Sequence, residues 1–340
     1  MRRVVMFDDY KELEIWPSES FDRYLKITQK EVERLLINKG DLVDISCPAC
    51  NSNKKEISFN KFGLEYVECI DCKTLYVSPR PPKKNIDGYF IDSEASKFRQ
   101  SHIVKKTLKG RITHLFRPRA IWVANLTEQY FKNPEVFVDI NSMYNEFLEE
   151  INILNLFKTK IILNPLVNID ESLYKENKFK IISKSIEEIS FDRIEANAVT
   201  VFAVINHVFN PERFLRIVRS ILIEGGILFL TASTISGFDL QVLWNNSKAI
   251  FPPDNINLLS IEGIEKLLEK CGFEIIELST PGQLDVELVK NAIRNNDKLE
   301  VSRFVSYLLN SRDENAHRSL QEFLQQFKLS SHVRLAARRK

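Results

Sequence analysis

The chain has 340 residues, of which 48 are lysine or arginine and 46 are aspartate or glutamate, so its formal net charge is only +2. This balance does not point to nucleic acid or an anionic membrane as the main partner, and no apolar run approaches the roughly 18 residues of a membrane span. The length predicts about two domains, and the composition predicts a soluble, cytoplasmic protein with no signal peptide.

The first 40 residues predict a helical segment. Apolar side chains recur at helical spacing between residues 18 and 37, and Lys39-Gly40 ends the pattern. We therefore expect residues 1–40 to form an N-terminal helical segment that precedes the first domain.

Four of the five cysteines form two Cys-x2-Cys pairs with 18 residues between the pairs, the spacing of a zinc site. These four are Cys47, Cys50, Cys69 and Cys72. Four thiolates complete a tetrahedron around one ion and leave no open position for substrate water. The pattern predicts a structural zinc ribbon over residues 41–82. Two disulfides, a redox pair and a nucleic-acid-binding ribbon are the alternatives, and the fifth cysteine, Cys271, is expected to be a small core residue.

Residues 83–132 are predicted to be helical and basic, after a stiff proline-rich exit from the ribbon at residues 79–82. Aromatic side chains recur through this segment. They fit packing against the next domain, and they also fit a lid over a substrate. We expect residues 83–132 to form a helical linker or lid.

From residue 134 onward, apolar strands alternate with helices. The predicted strands are residues 136–140, 160–163, 179–183, 198–205, 227–231 and 273–278. Continuous apolar strands in such an alternation predict an α/β fold with a parallel sheet covered on both faces. Helices are predicted again after residue 285. Residues 331–340 have no clear pattern, and read alone they could form a basic tail.

Several segments resemble class I S-adenosylmethionine (SAM)-dependent methyltransferases. Val204–Leu215 is similar to the family's hydrophobic-x-His-hydrophobic-x-Asp-Pro segment, Ile221–Leu228 to its Leu-x-Pro-Gly-Gly turn, and Lys270–Phe273 to its Ala-Gly-Phe helix end. Further segments of this chain are similar to a subgroup of that family which has an N-terminal zinc ribbon with four cysteines. These are the cysteine quartet itself, Tyr76–Pro81, Ser279–Asp285 and Ser330–Arg334.

The resemblance implies a Rossmann-like, seven-stranded methyltransferase sheet within residues 133–340. His332–Arg338 would be its seventh, antiparallel strand rather than a tail. Residues 286–329 would then be a helical insertion between strands six and seven. Because ligands bind at the carboxyl edge of such sheets, the insertion is expected to overhang the active face.

The cofactor loop is where this chain departs from the family pattern of acidic-x-Gly-x-Gly-x-Gly. No glycine occurs between Gly110 and Gly225. The resemblance places the acidic position at Asp139 or Ile140, and it implies a cofactor-binding set of Asp139, Asn141, Met143, Asn145, Asn164 and Ala203. Met143 would occupy space that SAM needs. Asn164 stands where relatives have an acidic residue for the ribose, and Asn255 where they tend to have a histidine.

Two histidines are predicted as catalytic residues. His207 follows the fourth strand at the substrate edge and titrates near neutral pH, as a general base does. The seventh strand would bring His332 to the same face. A helix-capping or packing role for His207 and a surface role for His332 are the alternatives.

The sequence leaves two main hypotheses of function. The first is a SAM-dependent methyltransferase with a structural zinc, acting on a small metabolite or a sugar nucleotide. The second is a catalytically inactive methyltransferase homologue that binds or scaffolds a protein partner. A zinc-ribbon nucleic-acid protein is a third, weaker hypothesis.

Overall fold

The computed structural model describes residues 11–15, 17–37, 41–140, 145–163, 179–184, 186, 194–296 and 298–340. Its N-terminal part begins with helices α1 (Glu12–Ile15) and α2 (Ser18–Val32). A wider, π-helical turn over Glu33–Ile37 extends α2, so the described chain is helical through the interval 18–37 that the sequence predicts.

A small antiparallel sheet follows and carries the cysteines. Strands β1 (Lys55–Lys61), β2 (Leu64–Cys69) and β3 (Leu75–Val77) pair in chain order. Its fourth strand is β9 (Asn257–Leu258), which pairs with β3 from the distant, C-terminal half of the chain. The cysteine-bearing sheet is therefore completed by the segment of the larger α/β region that contains β9.

Helices fill most of the segment between the two sheets, as the basic, aromatic-rich sequence predicts. They are α3 (Lys83–Asp92), α4 (Glu94–Phe98), α5 (Leu108–Arg111) and α6 (Arg117–Tyr130). Two π-helical turns, Arg99–Val104 and Ile112–Phe116, join α4 to α6 around α5.

The central sheet of the described chain has seven strands in the order β10-β11-β8-β7-β4-β5-β6. They are β4 (Val136–Ile140), β5 (Thr159–Leu163), β6 (Lys180–Ile182), β7 (Ala196–Phe202), β8 (Leu222–Ser233), β10 (Phe273–Ser279) and β11 (His332–Arg339). Only β11 is antiparallel to its neighbours. The predicted seven-stranded α/β sheet is confirmed.

The last strand, β11, settles the ambiguity over the C-terminal residues. It lies between β8 and β10, with His332 opposite Ser233. Its alternate residues Val333, Leu335 and Ala337 are buried in the core. A basic tail is therefore excluded, because period-two burial fixes these residues in the sheet.

Helices cover both faces of the sheet and form the insertion before β11. They are α7 (Asn145–Leu154), α8 (Pro211–Ile221), α9 (Phe238–Leu243), α10 (Ile261–Lys270), α11 (Asp285–Asn295), α12 (Arg303–Ser311) and α13 (Glu314–Gln326). Helices α11 to α13 form the predicted helical insertion. Among the described residues, no helix combines the length and the apolar character that crossing a bilayer requires.

Two strand boundaries differ from the sequence-based prediction for backbone reasons. The strand predicted to reach residue 205 ends at Phe202, because Ala203 takes a positive φ of +58°. Strand β8 starts at Leu222, earlier than predicted, and runs through Gly225 at φ +74°. A Cβ on Gly226 would lie 2.9 Å from Ala196 O, so glycine lets β8 approach β7 there.

Candidate active site and metal-binding cluster

The carboxyl ends of β4, β5 and β7 meet at one edge of the central sheet, where ligands bind in open α/β sheets. Three residues expected to bind the cofactor, Asn141, Met143 and Asn164, lie outside the described residues. Asn145 is the first residue of α7. The described cofactor edge therefore consists of the strand ends and the start of α7.

Asp139, the predicted acidic residue of the cofactor loop, is fully buried one residue before β4 ends. Its Oδ1 accepts a 2.6 Å hydrogen bond from Thr200 Oγ1 on the neighbouring parallel strand. This bond joins the ends of β4 and β7 and fixes the orientation of the carboxylate at the cofactor edge.

Ala203 follows β7 with left-handed backbone, which is uncommon for a residue that has a Cβ and concentrates at functional sites. Its amide donates a 2.8 Å hydrogen bond to Thr231 O of β8, which holds the residue in place. Its side chain is one exposed methyl group, so the edge beside β7 stays open to a ligand.

His207 lies in the turn after β7, with its side chain partly exposed. Its ring packs against Phe90 of α3 at a centroid distance of 4.5 Å. Burial and then the charge of Arg99 lower the pKa of His207 to about 3, so the imidazole is neutral at physiological pH. In the described part of the chain, no hydrogen bond reaches its ring nitrogens.

His332 begins β11 at the same edge of the sheet, and its Nε2 lies 3.4 Å from Nη2 of Arg119 on α6. Burial, followed by the charges of Arg119 and Arg334, lowers the pKa of His332 to about 3. A neutral Nε2 can accept a hydrogen bond from the guanidinium. The same guanidinium lies 5.5 Å above the ring of Phe202, the last residue of β7.

The fold thus brings both predicted histidines to the carboxyl edge but packs them against different helices. His207 contacts α3, and His332 contacts α6. Their predicted catalytic roles stay predictions.

A carboxylate that pairs with Arg99, the residue whose charge lowers the pKa of His207, was not identified from the sequence. Asp254 accepts hydrogen bonds from Tyr24 Oη at 3.0 Å and Arg99 Nη1 at 3.3 Å, both at its Oδ2. Its buried Oδ1 has no hydrogen-bond partner among the described residues. Burial raises the pKa of Asp254 despite Arg99. The charge of Arg99 therefore acts on both Asp254 and His207, and α2 contributes Tyr24 to the same group of side chains.

Arg80 joins the cysteine-bearing sheet to this edge. It is fully buried, and burial lowers its pKa to about 9. Four oxygens accept hydrogen bonds from its guanidinium: Val77 O at 3.0 Å, Phe209 O at 3.0 Å, Ile256 O at 3.2 Å and Asn257 Oδ1 at 3.0 Å. The turn after β7, which carries His207, is thus tied to β3 and β9.

Two buried asparagines complete this connection. Asn206 Nδ2 donates to Ser233 O at 2.9 Å and to Asn257 O at 2.8 Å. Asn257 Nδ2 donates to Val208 O at 2.7 Å, and so fixes the backbone on the other side of His207. These amides hold the loops that follow β7 and β8 in one geometry relative to β9.

The four paired cysteines form a cluster that fits one metal ion. Their Sγ atoms all lie within 4.8 Å of one another. Two Sγ–Sγ distances, Cys47 to Cys72 and Cys50 to Cys69, are both 3.6 Å, and none of the four cysteines forms a disulfide. Four thiolates about 2.3 Å from a tetrahedral ion lie about 3.8 Å apart, close to this spacing.

The start of α10 packs directly on this cluster. Ser260 Oγ donates to Cys72 O, and Ser260 N donates to Thr74 Oγ1 at 3.2 Å. A Cβ on Gly263 would lie 2.5 Å from Thr74 Oγ1. A larger residue at this position would therefore push α10 away from the turn that contains Cys69 and Cys72. The cluster therefore supports the α/β region as well as its own small sheet.

A pair of buried carboxyl groups joins the helical insertion to the sheet. Asp285 accepts hydrogen bonds from Ser330 Oγ at 2.5 Å, Gln321 Nε2 at 2.8 Å and Ser331 N at 2.7 Å. Asp239 lies beside it, hydrogen-bonded to Asp285 and Ser331. Burial, then the charge of Asp285, raises the pKa of Asp239 well above its ordinary value.

Asp239→Asn is expected to stabilise the fold at high pH. Because the folded-state pKa of Asp239 is raised, stability falls as pH rises above the ordinary carboxyl value of about 3.9. Asparagine keeps a donor for Asp285 and an acceptor for Ser331 without titrating. Thermal unfolding should show the variant melting at least about 2 °C above the wild type at pH 8 and level with it at pH 4. Asp41→Asn, at an exposed residue, is the control; equal shifts in both variants would contradict the assignment.

Comparison with known proteins identifies the family. Residues 89–278, more than half of the chain, match the family described as "Methyltransferase domain". None of the curated proteins matches the chain.

Three solved structures with similar folds span most of their own lengths on this chain. A plantazolicin methyltransferase, BpumL, in complex with a monoazolic desmethylPZN analog and SAH, is 13% identical, with a TM-score of 0.48 and coverage of 75% of this chain and 93% of its own. The N-methyltransferase NodS from Bradyrhizobium japonicum is 9% identical, with a TM-score of 0.39 and coverage of 66% and 95%. The [4+2]-cyclase SpnF is 13% identical, with a TM-score of 0.41 and coverage of 64% and 80%.

The seven-stranded sheet with its antiparallel β11 and the family match over residues 89–278 agree with each other. The chain belongs to the methyltransferase domain family.

Proposed function

We propose that this protein transfers the methyl group of SAM to a hydroxyl group of a small metabolite or a sugar nucleotide. The observation that carries the proposal is the family match over residues 89–278, a range that includes the ends of β4 and β7. The alternative, an inactive homologue that binds a protein partner, rests only on the departure of the cofactor loop from the family pattern.

Three of the described residues at the carboxyl edge of the sheet support SAM binding. Ala203 presents only a methyl group, the carboxylate of Asp139 is held by Thr200, and α7 begins with Asn145 immediately after the loop. When bound, SAM supplies an electrophilic methyl on a sulfonium, so the chain has to align the acceptor and take up its proton. Asp139, Asn145 and Ala203 are proposed to bind the cofactor.

His207 is the proposed proton acceptor. A base with a pKa of about 3 is weak, but its nitrogen is neutral and free to accept over the physiological pH range. A hydroxyl that gains a methyl group becomes strongly acidic, so even this base takes its proton; a methylated amine stays too basic. The depressed pKa therefore favours a hydroxyl acceptor. Oδ1 of Asp254, which lacks a partner in the described residues, is proposed to accept a hydrogen bond from the acceptor.

His332 is proposed to position Arg119 rather than to transfer a proton, because its Nε2 faces the guanidinium. The four-cysteine cluster is proposed to hold a structural zinc. Zinc suits four thiolates in a closed tetrahedral site, and such a site has no open position for catalysis.

The first test is calorimetric titration of the zinc-loaded protein with SAM and S-adenosylhomocysteine. We expect micromolar binding of both. Met143→Gly should tighten binding, because it removes a side chain from the predicted cofactor loop. Absence of heat at millimolar ligand would contradict the proposal and favour the inactive homologue.

His207→Gln is expected to lower the rate of acceptor-dependent S-adenosylhomocysteine formation at least about 100-fold, since a general base contributes on that order. Affinity for S-adenosylhomocysteine should stay unchanged. His102→Gln, at an exposed histidine stacked on Phe98, is the matched control and should keep full activity. A His207→Gln enzyme with normal turnover would remove His207 from the mechanism.

A further inference from the structure

One segment of this nearly neutral chain is strongly basic. Between Ala95 and Thr127 there are eight lysine and arginine residues and no aspartate or glutamate, while the whole chain has a net charge of only +2. The segment precedes the central sheet, so none of these charges lies in its strands. Five of these eight cations contact other groups of the fold.

Internal contacts account for the cations at the two ends of the segment. Arg99 pairs with Asp254, Arg119 lies against His332, and Lys97 pairs with Asp92. Arg111 is buried and donates to Ile15 O. Each of these side chains has a role within the fold.

The three lysines in the middle have no such role. Lys105, Lys106 and Lys109 are exposed, and within the described ranges no hydrogen bond or ion pair involves their side chains. Three like charges placed close together on one surface repel one another. An arrangement of this kind is stabilised when an anion binds.

The three lysines border a shallow, open depression in the surface. We call this feature the lysine cleft. Its volume is about 530 Å³, which is in the range of a small-ligand site. The lining includes Lys105, Lys106, Lys109 and Arg117, with Leu108 and Ile112 as apolar walls. A concave site with several cations suits a compact anion better than it suits a planar bilayer.

The lysine cleft lies near the carboxyl edge of the sheet. Helix α6 runs beside β11: Arg119 contacts His332, and Trp122 lies under Arg334 at 4.9 Å. His332 begins β11 at the carboxyl edge, so the start of α6 lies at that edge too. Arg117, which begins α6 and lines the cleft, also pairs with Glu150 of α7, the helix that follows the cofactor loop.

We propose that the lysine cleft binds the phosphate groups of an acceptor that carries a diphosphate. This inference rests on the proposed function, because it assigns the ligand of the same carboxyl edge. Arg117 pairs with Glu150, which leaves the three lysines to neutralise the two negative charges that the diphosphate diester of such an acceptor carries at neutral pH. Lysine ammonium groups bind phosphate oxygens as point charges, in charge-assisted hydrogen bonds.

The test is calorimetric titration of the full-length, zinc-loaded protein with inorganic pyrophosphate and with uridine diphosphate. The cleft variant changes Lys105, Lys106 and Lys109 to glutamine. The control variant makes the same change at three exposed lysines elsewhere, which are Lys26, Lys30 and Lys84. Both variants lose three positive charges, so only the location of the charges differs.

We expect both probes to bind the wild type and the control alike, and the cleft variant at least tenfold more weakly. Titration of each protein with S-adenosylhomocysteine checks its fold and separates the two proposals. Normal S-adenosylhomocysteine binding without phosphate binding would overturn the lysine cleft alone; phosphate binding without S-adenosylhomocysteine binding would support the cleft and count against methyl transfer. Equal losses in both variants would overturn the cleft. So would sedimentation with phosphatidylglycerol vesicles that pyrophosphate cannot displace.

Discussion

Replacing Cys69 with serine is expected to release the zinc ion proposed for the cysteine cluster and to cost more than about 4 kcal/mol of folding free energy. A structural metal site forms only in the folded chain, so its binding free energy is folding free energy. Loss of one of four thiolates leaves the ion with an open, weaker site. Metal content per chain and the urea midpoint of unfolding are the measurements.

The loss should extend beyond the small sheet. Ser260 and Thr74 join the cysteine turn to α10, and β3 pairs with β9 of the α/β region. Limited proteolysis of Cys69→Ser should therefore cut near residues 257–263 as well as near the cysteines. Chelation of the wild type should give the same cleavage pattern.

Cys271→Ser is the matched control. Cys271 is also buried and also free, but it lies at the end of α10, away from the cluster. This variant should keep the metal. It should lose stability only because serine buries a polar hydroxyl where cysteine has a thiol. If Cys69→Ser kept both its metal and its stability, the cysteine cluster would not be a structural metal site.

Arg80→Met is expected to cost about 3–5 kcal/mol, because methionine fills a similar volume but removes the donors of four hydrogen bonds to oxygen atoms. Arg80→Lys should recover only part of the loss, since one ammonium cannot reach acceptors on three chain segments. The urea midpoint of unfolding is again the measurement.

Exposed Arg213 supplies the control for this prediction, and Arg213→Met should change stability by less than about 0.5 kcal/mol. Arg80→Met should also weaken S-adenosylhomocysteine binding in the protein that remains folded, because Arg80 donates to Phe209 O beside the turn that carries His207. A cost for Arg80→Met no larger than that of the control would mean that the four hydrogen bonds contribute little.

The strands of the central sheet could be predicted because they are continuous apolar runs, and the cysteine cluster because its spacing is local. Strand β11 could be predicted only with the help of the family resemblance, since its basic residues fit a C-terminal tail equally well. The end of β7 was predicted three residues too far, because apolar Val204 and Ile205 continue the pattern after the positive φ of Ala203 has ended the strand.

The sequence by itself therefore determined the fold class, the cysteine quartet and the position of His207 after the fourth strand of the sheet. Only the tertiary structure decided what surrounds that histidine. Asp254, Arg99 and the partners of Arg80 come from segments far apart in the chain; Arg80 and Asn257, for example, are 177 residues apart. Sequence patterns report periodic burial and local spacing, whereas a buried hydrogen-bond network depends on which distant segments the packing brings together.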